Sequence, residues 1–427
     1  MTASSTIPSQ VQRAASSDTA AHDRSFPASA AESKPRADLR LLHVVTVPIS
    51  LNFFRGQIGY LRSEGFDVQA VSSPGKEAEL ARERESIPIH EVPMNRGISP
   101  LADLVSLWRL CKLIRRIKPD IVHSHTPKAG LLGTLAARIT GTRGVMLSIF
   151  GLPQMTSRGW KLRLLNTLTR FSCRLSQRVW CDSHSMRQHL IDTKLCRADK
   201  IVVLGHGSSN GIESQRKFNP ASYPLQERRD LRERYQIPTE AFTVCFVGRI
   251  VADKGIRELA AAWRILREKH SNIHLLIVGP FEPQDPLDAK DEELLRSDER
   301  IHLAGMRQDV PLHLAASDLL VNPSYREGFN VALLEAAAMG LPVVASRVPG
   351  CADPVIEGVT GTLVPVRDAA ALAQAIEEYL LNPELRQKHG TAGRERVVRD
   401  FQPERIWREL AQYYRELVPR QETSPCE

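Results

Sequence analysis

The sequence contains no long apolar run and few aromatic residues. No stretch of its 427 residues approaches the ~18 uninterrupted apolar positions of a membrane-spanning helix, so we predict no such helix. Aromatic residues are 6% of the chain and no nucleic-acid-binding module is visible, which argues against a nucleic-acid partner. Hydrophobic residues at 42% and charged residues at 25% exclude a disordered or fibrous protein. At roughly 100–200 residues per domain, the length predicts two or three domains.

Paired cysteine motifs and common cofactor motifs are also missing. None of the seven cysteines forms a C-x-x-C pair, which argues against a zinc ribbon or a thioredoxin-type site. Several lie in apolar runs, as Cys245 does in T-V-C-F-V-G, so we expect reduced core thiols in a reducing compartment. The segment G-H-G-S-S-N-G is not the dinucleotide fingerprint G-x-G-x-x-G, and neither a Walker A motif nor H-E-x-x-H occurs.

Acidic residues are scarce in one segment. The chain has a net charge of +8, but residues 104–200 contain 18 Lys and Arg against four acids. Such asymmetry is typical of a surface that faces an anionic membrane or a nucleic acid. A solvated basic face without a partner is the simpler alternative.

The order of apolar runs predicts two α/β domains. Residues 1–38 lack the apolar region of a signal peptide and are rich in Ala, Ser and Pro, so we expect a disordered tail, with a similar tail at 419–427. Domains are predicted at 39–207 and 241–402, with a linker at 208–240 and a C-terminal helix at 403–418 that returns to the first domain. Short apolar runs predict strands at 41–47, 67–71, 87–92, 120–124, 145–150, 178–182 and 200–204, and at 241–247, 273–278, 300–304, 318–322, 342–346 and 361–365.

Helical periodicity lies between these strands. The helices are expected at 101–117, 128–140, 255–269, 311–316, 330–339, 369–381 and 403–417. In the first of them, Leu101, Leu104 and Trp108 belong to a repeat near 3.6 residues that continues to Ile117. Strands that alternate with helices predict doubly wound parallel sheets covered on both faces, with a ligand cleft at the carboxyl ends of two facing sheets.

The first candidate binding motif is F-V-G-R-I-V-A-D-K-G, residues 246–255. A buried strand ends at Gly248, and a helix is predicted to begin after Gly255. Arg249 and Lys254 lie between them, so two cations and a helix N-terminus come together at the cleft. This combination favours a diphosphate ligand; a solvated surface loop is the alternative.

The second candidate motif contains two carboxylates. Glu327 is expected to open a helix, and Glu335 follows eight residues later. At 1.5 Å per residue the two would lie about 12 Å apart on one face. A glycosidase pair requires roughly 5 to 9.5 Å, so this spacing favours two contacts with one elongated ligand. Glu335 lies among apolar residues, where an unpaired carboxylate is costly.

These motifs resemble the donor domain of retaining glycosyltransferases of family 4, which have the GT-B fold of two Rossmann-like domains facing a cleft. The family carries V-G-R-(L/I)-x-x-x-K-G, E-G-F-x-x-x-x-x-E-A, G-x-P-V-V-A and G-x-T-G-x-L-V in this order. This chain has V-G-R-I-V-A-D-K-G, E-G-F-N-V-A-L-L-E-A, G-L-P-V-V-A and G-V-T-G-T-L-V. The resemblance covers roughly residues 40–415 and also includes K-P-D-I-V-H-S-H-T-P-K-A-G. Together with the motif G-P-F-E-P-Q-D-P-L, these motifs resemble the branch of the family that builds capsular polysaccharide and other lipid-linked glycans.

The resemblance implies a role for each matching residue. Arg249 and Lys254 would hold the donor diphosphate beside Gly248, and Glu335 would bond the ribose. Glu327 would contact the donor sugar. The set is completed by the backbone near Gly328, Phe329 and Asn330, by His125 near the reacting centre, and by Arg55, Gly56 and Lys128 on the acceptor side. A satisfied loop histidine is the alternative for His125, and His123 is expected on the other face as a structural residue.

Two further features qualify the resemblance. Many family members have a Gly-Gly turn after the first strand, whereas this chain reads T-V-P-I-S-L-N-F-F-R-G-Q there. The extra aromatic residues suggest an acceptor with a lipid or bulky apolar part. No D-x-D occurs, so we expect neither a metal nor a cofactor, with Arg249 and Lys254 stabilising the leaving diphosphate.

The resemblance therefore implies a retaining hexosyltransferase that uses a nucleotide-diphosphate sugar. The acceptor would be a growing, polyprenyl-diphosphate-linked glycan of the capsule or lipopolysaccharide type, and the enzyme would be cytoplasmic, at the inner face of the membrane. A nucleotide-sugar epimerase of the same fold and a non-catalytic protein that binds anions or nucleic acid are the alternatives.

The segment Arg158–Arg178 predicts how the membrane is contacted. All six of its charges are positive, and Leu164, Leu168, Phe171 and Leu175 form one apolar stripe. An amphipathic helix of this kind can lie in an anionic bilayer surface. The alternative is that the stripe packs on the protein's own sheet.

Overall fold

The computed structural model describes residues 39–282 and 285–419. The tail predicted at 1–38, nearly all of the tail at 419–427, and Cys426 lie outside this part of the chain. The remaining six cysteines are buried and free, which confirms the prediction of core thiols.

The first lobe is built on a parallel sheet of seven strands in the order β3-β2-β1-β4-β5-β6-β7. Its strands are mostly buried on both faces, as expected for apolar runs in a parallel sheet. The strands are β1 (Leu39–Val44), β2 (Phe66–Ser72), β3 (Ile89–Glu91), β4 (Ile121–Ser124), β5 (Gly144–Ile149), β6 (Arg178–Cys181) and β7 (Ile201–Val203).

Helices cover both faces of this sheet. They are α1 (Gln57–Ser63), α2 (Lys76–Glu85), α3 (Pro100–Ile117), α4 (Pro127–Ile139), α5 (Gly159–Leu175), α6 (His184–Asp192) and, from the far end of the chain, α14 (Pro403–Leu417). Leu410 and Tyr414 of α14 are buried in one core with residues of α1 and α2, and α3 and α4 enclose a second core on the opposite face. The prediction that the last helix returns to the first domain is therefore confirmed.

The second lobe contains a parallel six-stranded sheet in the order β10-β9-β8-β11-β12-β13. Its strands are β8 (Phe242–Val247), β9 (Ile273–Val278), β10 (Ile301–Gly305), β11 (Leu319–Asn322), β12 (Val343–Ser346) and β13 (Gly361–Val364). Its helices are α7 (Leu225–Arg234), α8 (Ile256–Lys269), α9 (Ala289–Ser297), α10 (Val310–Ala315), α11 (Val331–Ala338), α12 (Ala369–Leu381) and α13 (Pro383–Asp400). Two doubly wound parallel sheets confirm the predicted fold class.

Helix α7 lies inside the segment that we expected to be a linker. It is strongly polar, and Leu231 is its one buried residue, so the sequence shows no apolar period there. The helix is held by Arg232, whose guanidinium donates to the carbonyl of Ala316 at 2.9 Å and lies 3.0 Å from Asp318. These contacts make α7 part of the second lobe.

Helix α3 shows a second difference from the periodicity. Its buried face consists of residues such as Leu110 and Ile114, whereas Leu101 is 85% exposed and Trp108 is 62% exposed. The helix therefore carries two apolar faces, and the one toward solvent is unpartnered within the described residues. Among those residues, none of the helices has the length and apolar character needed to cross a bilayer.

Strand order determines where a ligand can enter each sheet. In the first lobe the direction of winding reverses between β1 and β4, and in the second lobe between β8 and β11. Ligands bind doubly wound sheets at the carboxyl ends of the strands on either side of this reversal. His125 follows β4 directly, Gly248 follows β8, and Glu327 lies in the loop after β11.

Candidate functional site

The β8–α8 loop places a lysine at the cleft. Gly255 has a φ of +71°, and a Cβ there would lie 2.0 Å from the carbonyl oxygen of Pro323, so glycine is required for α8 to begin at Ile256. This turn directs Lys254 toward the β11–α11 loop, where its ammonium group pairs with Glu327 Oε1. The Ser324 hydroxyl lies 2.9 Å from the same oxygen.

Arg249 is the second cation of this loop. Its side chain is 55% exposed, and its closest acidic neighbour is Glu282, at 3.9 Å between Nη1 and Oε1. The guanidinium is therefore hydrated and weakly paired. A hydrated guanidinium and a lysine that is already held in place beside a helix start suit the binding of a diphosphate.

Glu327 does not open a helix. Helix α11 begins at Val331, so Glu327 lies on the preceding loop, and the spacing of about 12 Å that we derived from helical rise does not apply. The loop is held by Asn330, whose backbone N–H donates to the carbonyl of Gly350 at 2.8 Å. That amide is thus not free for a sugar. The amides of Gly328 and Phe329 have no protein acceptor among the described residues.

Glu335 lies on α11 and is largely shielded from solvent. Among the described residues it forms no ion pair and no side-chain hydrogen bond. Burial raises its pKa to about 7, and the ammonium group of Lys217 lowers the pKa in part. A carboxylate left without a protein partner is suited to accept hydrogen bonds from ligand hydroxyls.

Gly328 is one of the points at which the two lobes touch. A Cβ there would lie 2.3 Å from the carbonyl carbon of Phe150 and 2.6 Å from the nitrogen of Gly151, so only glycine allows this approach. Ser183, which caps α6, donates its hydroxyl to the carbonyl of Gly328 at 2.8 Å. Phe329 is buried at the same junction, with its ring centroid 6.0 Å from that of Phe401.

Three buried histidines stand at the carboxyl ends of β1 and β4. His43 Nδ1 and His125 Nε2 are 3.0 Å apart and share one hydrogen bond. His123 uses both ring nitrogens, one with Tyr414 Oη and one with Ser148 Oγ, each at 2.7 Å. The rings of His123 and His125 are 4.0 Å apart, so His123 is on the same side as His125 and not on the other face. Residues two apart in a strand share a face, which is the reason for the correction.

His125 retains one nitrogen without a partner. It is 1% exposed, and its Nδ1 is buried with no hydrogen-bond partner among the described residues, as is Nε2 of His43. Burial holds the pKa of His125 well below its usual range, and the neighbouring imidazoles His123 and His43 lower it further. His125 is therefore neutral near pH 7 and can donate or accept one hydrogen bond through Nδ1.

The three nitrogen-bearing rings also meet the spacing of a metal site. One nitrogen from each of His43, His123 and His125 lies within 4.8 Å of the others. Both nitrogens of His123 are bonded to Tyr414 and Ser148, and His43 is bonded to His125. A metal would have to displace these hydrogen bonds.

The predicted acceptor-side residues fall into two places. Lys128 lines a cavity of about 390 Å³ together with His125 and Phe150, and its ammonium group pairs with Asp103 at 2.6 Å. Arg55 and Gly56 are exposed on the side of α14. A Cβ at Gly56 would lie 2.8 Å from the ring of Trp407, and the carbonyl of Arg55 accepts from Asn210 at 2.9 Å. Arg55 and Gly56 therefore lie beside Trp407 of α14 and Asn210, and not beside the three histidines.

Sequence reasoning missed three polar residues of the D-S-H-S segment after β6. Ser185 donates its backbone N–H to Asp353 Oδ1 at 3.0 Å, and its hydroxyl accepts from the backbone of Gly350 at 2.8 Å, which links the lobes. Asp182 is buried, with Oδ1 unpartnered in the described structure. Burial raises its pKa well above the usual range, a backbone hydrogen bond opposes this, and Asp353 and Glu327 add to the rise. The sequence signal that could have identified these residues is a run of polar residues directly after an apolar strand.

Comparison with known families matches both lobes. Residues 227–396 match the model of "Glycosyl transferases group 1", and residues 52–207 match a "Glycosyl transferase 4-like domain". The chain is 35% identical over 383 residues to the capsular polysaccharide biosynthesis glycosyltransferase CapM of Staphylococcus aureus, covering 90% of this chain and 98% of that protein.

Two more comparisons bear on substrate and on fold. The UDP-Gal:alpha-D-GlcNAc-diphosphoundecaprenol alpha-1,3-galactosyltransferase of Escherichia coli is 28% identical over 358 residues, covering 81% of this chain and 89% of that protein. The crystal structure of Anabaena Alr3699/HepE with UDP and glucose superposes with a TM-score of 0.73 at 18% identity, covering 88% of this chain and 100% of that one.

Proposed function

This chain belongs to the group 1 glycosyl transferases and is a glycosyltransferase, and from that premise we propose that it is a retaining enzyme for a lipid-linked cell-surface glycan. In this proposal it moves a hexose from a nucleotide-diphosphate donor to a growing, polyprenyl-diphosphate-linked acceptor. The observation that carries it is the cation–carboxylate arrangement of Arg249, Lys254, Glu327 and Glu335 at the strand-order reversal of the second sheet.

The second lobe would bind the donor. Arg249 would contact the diphosphate from the solvent side. Lys254 would either leave Glu327 to bind the diphosphate or bind Glu327 and the diphosphate together. Glu335 would accept hydrogen bonds from the ribose. The two cations would stabilise the negative charge that develops on the leaving diphosphate, and Lys254, which Glu327 already holds in place, would do so at little reorganisation cost. In this proposal Arg249 and Lys254 take the role of a metal ion, so the reaction requires no metal.

The first lobe would present the acceptor. Neutral His125 lies at the end of β4, beside Phe150 and Gly151, and Gly328 of the donor lobe packs on the same two residues. This brings His125 next to the loop of Glu327. His125 Nδ1 would bond a hydroxyl of the reacting sugars, while proximity and orientation supply most of the rate.

We further propose that the outer surface of the first lobe docks on an anionic bilayer at the inner face of the cell membrane. Trp160 of α5 is 73% exposed, and Ser172 and Cys173 are the only buried residues of this helix. The apolar stripe of α5 is therefore not buried against the sheet. The outward face of α3 adds Leu101, Leu104 and Trp108, flanked by Lys112 and Arg115. Apolar and basic residues together favour a lipid surface over nucleic acid.

A donor screen tests the enzymatic proposal. The full chain is incubated with the common UDP-, GDP- and ADP-sugars, and slow hydrolysis and calorimetric binding are measured. We expect one donor class to bind and hydrolyse with retention of the anomeric configuration. An inverted product, or equal binding of all three nucleotides with no hydrolysis, would contradict the proposal. Free interconversion of the donor sugar without acceptor would instead indicate an epimerase.

A further inference from the structure

The first lobe contains a cavity whose chemistry differs from that of a sugar-binding site. The cavity of about 390 Å³ lies between α4, the loop after β5, and α5, and His125 forms part of its wall. Most of its surface is apolar. Leu131 comes from α4, Leu152 and Pro153 from the loop, and Leu165 and Leu168 from α5.

Several polar side chains around the cavity already have protein partners. Lys128 pairs with Asp103, and the Gln154 amide donates to the Thr169 hydroxyl at 3.0 Å. Ser148 bonds His123 at 2.7 Å. A monosaccharide exposes a hydroxyl on almost every carbon and needs free donors and acceptors around it. This cavity offers few, so an apolar ligand fits it better.

Of the nitrogen-bearing side chains that line the cavity, two keep a group without a protein partner among the described residues. One is His125 Nδ1, buried at one end, and the other is the guanidinium of Arg96, which is exposed and forms no ion pair with any described residue. The cavity is thus apolar along its wall and has an unpaired cation at its edge. This charge distribution matches an amphiphile with an anionic head and a hydrocarbon chain.

The cavity is also continuous with the exposed apolar surface of α3. Ile98 lines the cavity and is itself 57% exposed, and α3 begins two residues later. Leu101, Leu104, Val105 and Trp108, all exposed, then follow on the outward face of that helix. A hydrocarbon chain that leaves the cavity past Ile98 would meet apolar side chains instead of water.

We propose that this cavity binds isoprene units of the acceptor's polyprenyl chain, with Arg96 facing the acceptor's diphosphate. The inference rests on the proposed function and adds to it the site that recognises the lipid. Helix α5 would then contact lipid in two ways. Leu165 and Leu168 form a wall for one lipid chain, while Trp160 and the basic residues contact the bilayer from which that chain comes.

The test is calorimetric titration of the full chain with farnesyl diphosphate, with inorganic diphosphate and farnesol as comparison probes. We expect farnesyl diphosphate to bind at least tenfold tighter than inorganic diphosphate, because only the former fills the apolar cavity. Leu168→Asp should weaken farnesyl diphosphate about tenfold. Leu164→Asp is the matched control, since Leu164 is similarly half-buried on the same helix but does not line the cavity; it should change the affinity less than twofold.

Two further variants separate the cavity from general lipid affinity. Leu168→Trp stays apolar but narrows the cavity, so binding of farnesyl diphosphate should fall, whereas retained or tighter binding would overturn the proposal. Arg96→Ala should weaken farnesyl diphosphate about fivefold and leave farnesol unchanged, and Arg109→Ala on the exposed face of α3 should leave both unchanged. Equal losses in Arg96→Ala and Arg109→Ala would also overturn it.

Failure of this inference is distinguishable from failure of the proposed function. If the chain binds and hydrolyses a nucleotide-sugar but binds farnesyl diphosphate no tighter than inorganic diphosphate, the lipid site is wrong and the transferase proposal stands. If no nucleotide-sugar binds, the transferase proposal fails regardless of farnesyl diphosphate. Circular dichroism of each variant confirms that the fold is intact before either conclusion is drawn.

Discussion

The two lobes hold their candidate functional groups in opposite ways. In the second lobe the groups are charged and lie on the loops after β8 and β11 and on α11, and Lys254 is already paired with Glu327. In the first lobe they are neutral, buried and contributed by separate strands and helices, and His125 keeps a nitrogen with no partner in the described structure. Under the proposed function, the charged diphosphate would be bound by charges already in place in the second lobe, whereas the acceptor would be recognised in the first lobe by the shape of its cavity.

The largest effect is expected from removing Lys254, the second-lobe cation that is already paired in the structure. Lys254→Ala leaves Glu327 without its ion-pair partner and would remove the charge-assisted bond that we propose to the donor diphosphate. Such a bond contributes roughly 1.5–3 kcal/mol, so we expect kcat/KM to fall roughly 10–150-fold. Lys269→Ala is the control, because Lys269 pairs with Glu377 on the exposed surface of the same lobe. Equal kinetics of the two variants would remove Lys254 from the site.

The next prediction concerns Glu335 of the second lobe, a largely shielded carboxylate that has no protein partner among the described residues. Glu335→Gln should raise the donor KM about tenfold with little change in kcat, because the proposed ribose contact would be the same in the ground and transition states. A matched change at an exposed acid of the same lobe, Glu378→Gln, should leave KM unaltered. A fall in kcat at constant KM would instead assign Glu335 to the reacting sugar.

The same substitution should increase stability at alkaline pH. The pKa of Glu335 rises to about 7 in the folded protein from a reference value of 4.5, so the folded state binds a proton more tightly than the unfolded state. Stability from this group is therefore full below pH 4.5 and is lost as pH rises to about 7. Glu335→Gln should be more stable than the native chain by about 1–3 kcal/mol at pH 8, and equally stable near pH 4. Urea unfolding at both values provides the measurement.

A smaller effect is expected at the outer surface of the first lobe. Trp108→Ser combined with Leu104→Ser should reduce sedimentation with phosphatidylglycerol liposomes about fivefold, since exposed apolar side chains contribute to interfacial binding. Binding should also fall toward ~0.5 M salt, where charge attraction is screened. Leu381→Ser, an equally exposed leucine of the second lobe, serves as the control. Sedimentation with neutral liposomes as well would show that charge plays no part.

The smallest expected effect is that of metal removal. Dialysis against EDTA should leave turnover unchanged, because the cations of the second lobe are proposed to stabilise the leaving diphosphate. The three histidines make the experiment informative, since their spacing would admit a metal. Loss of activity with EDTA, restored by zinc, would assign a metal to the first lobe and replace the proposed use of His125.

The sequence predicted the fold well because each strand is a short apolar run in a regular alternation. It was less informative about which apolar residues are buried. Leu101 and Trp108 share the period of α3 with Ile114, yet only Ile114 is buried, since periodicity reports a helix but not what covers each side. Helix α7 was missed because one buried leucine gives no period.

The second-lobe motifs were predictable because they are contiguous. The position of Glu327 was not, because a helix start cannot be read to within a few residues and the loop is determined by the approach of Gly328 to Phe150 of the other lobe. His43 and Ser183 were missed for a related reason. Each is defined by a partner far along the chain, His125 or Gly328, and such pairs leave no local pattern in the sequence.

The return of α14 to the first lobe has a consequence for how this protein is made. Tyr414 Oη bonds His123 across 291 residues of chain, and α14 covers one face of the first sheet. During synthesis the first lobe therefore leaves the ribosome with that face open and must wait for the entire second lobe to be translated. This core of the first lobe is therefore completed only after α14 has been synthesised, later than in the N-terminal-first order usual for multidomain proteins. The second lobe, whose two cores are supplied almost entirely by residues 212–401, can close first.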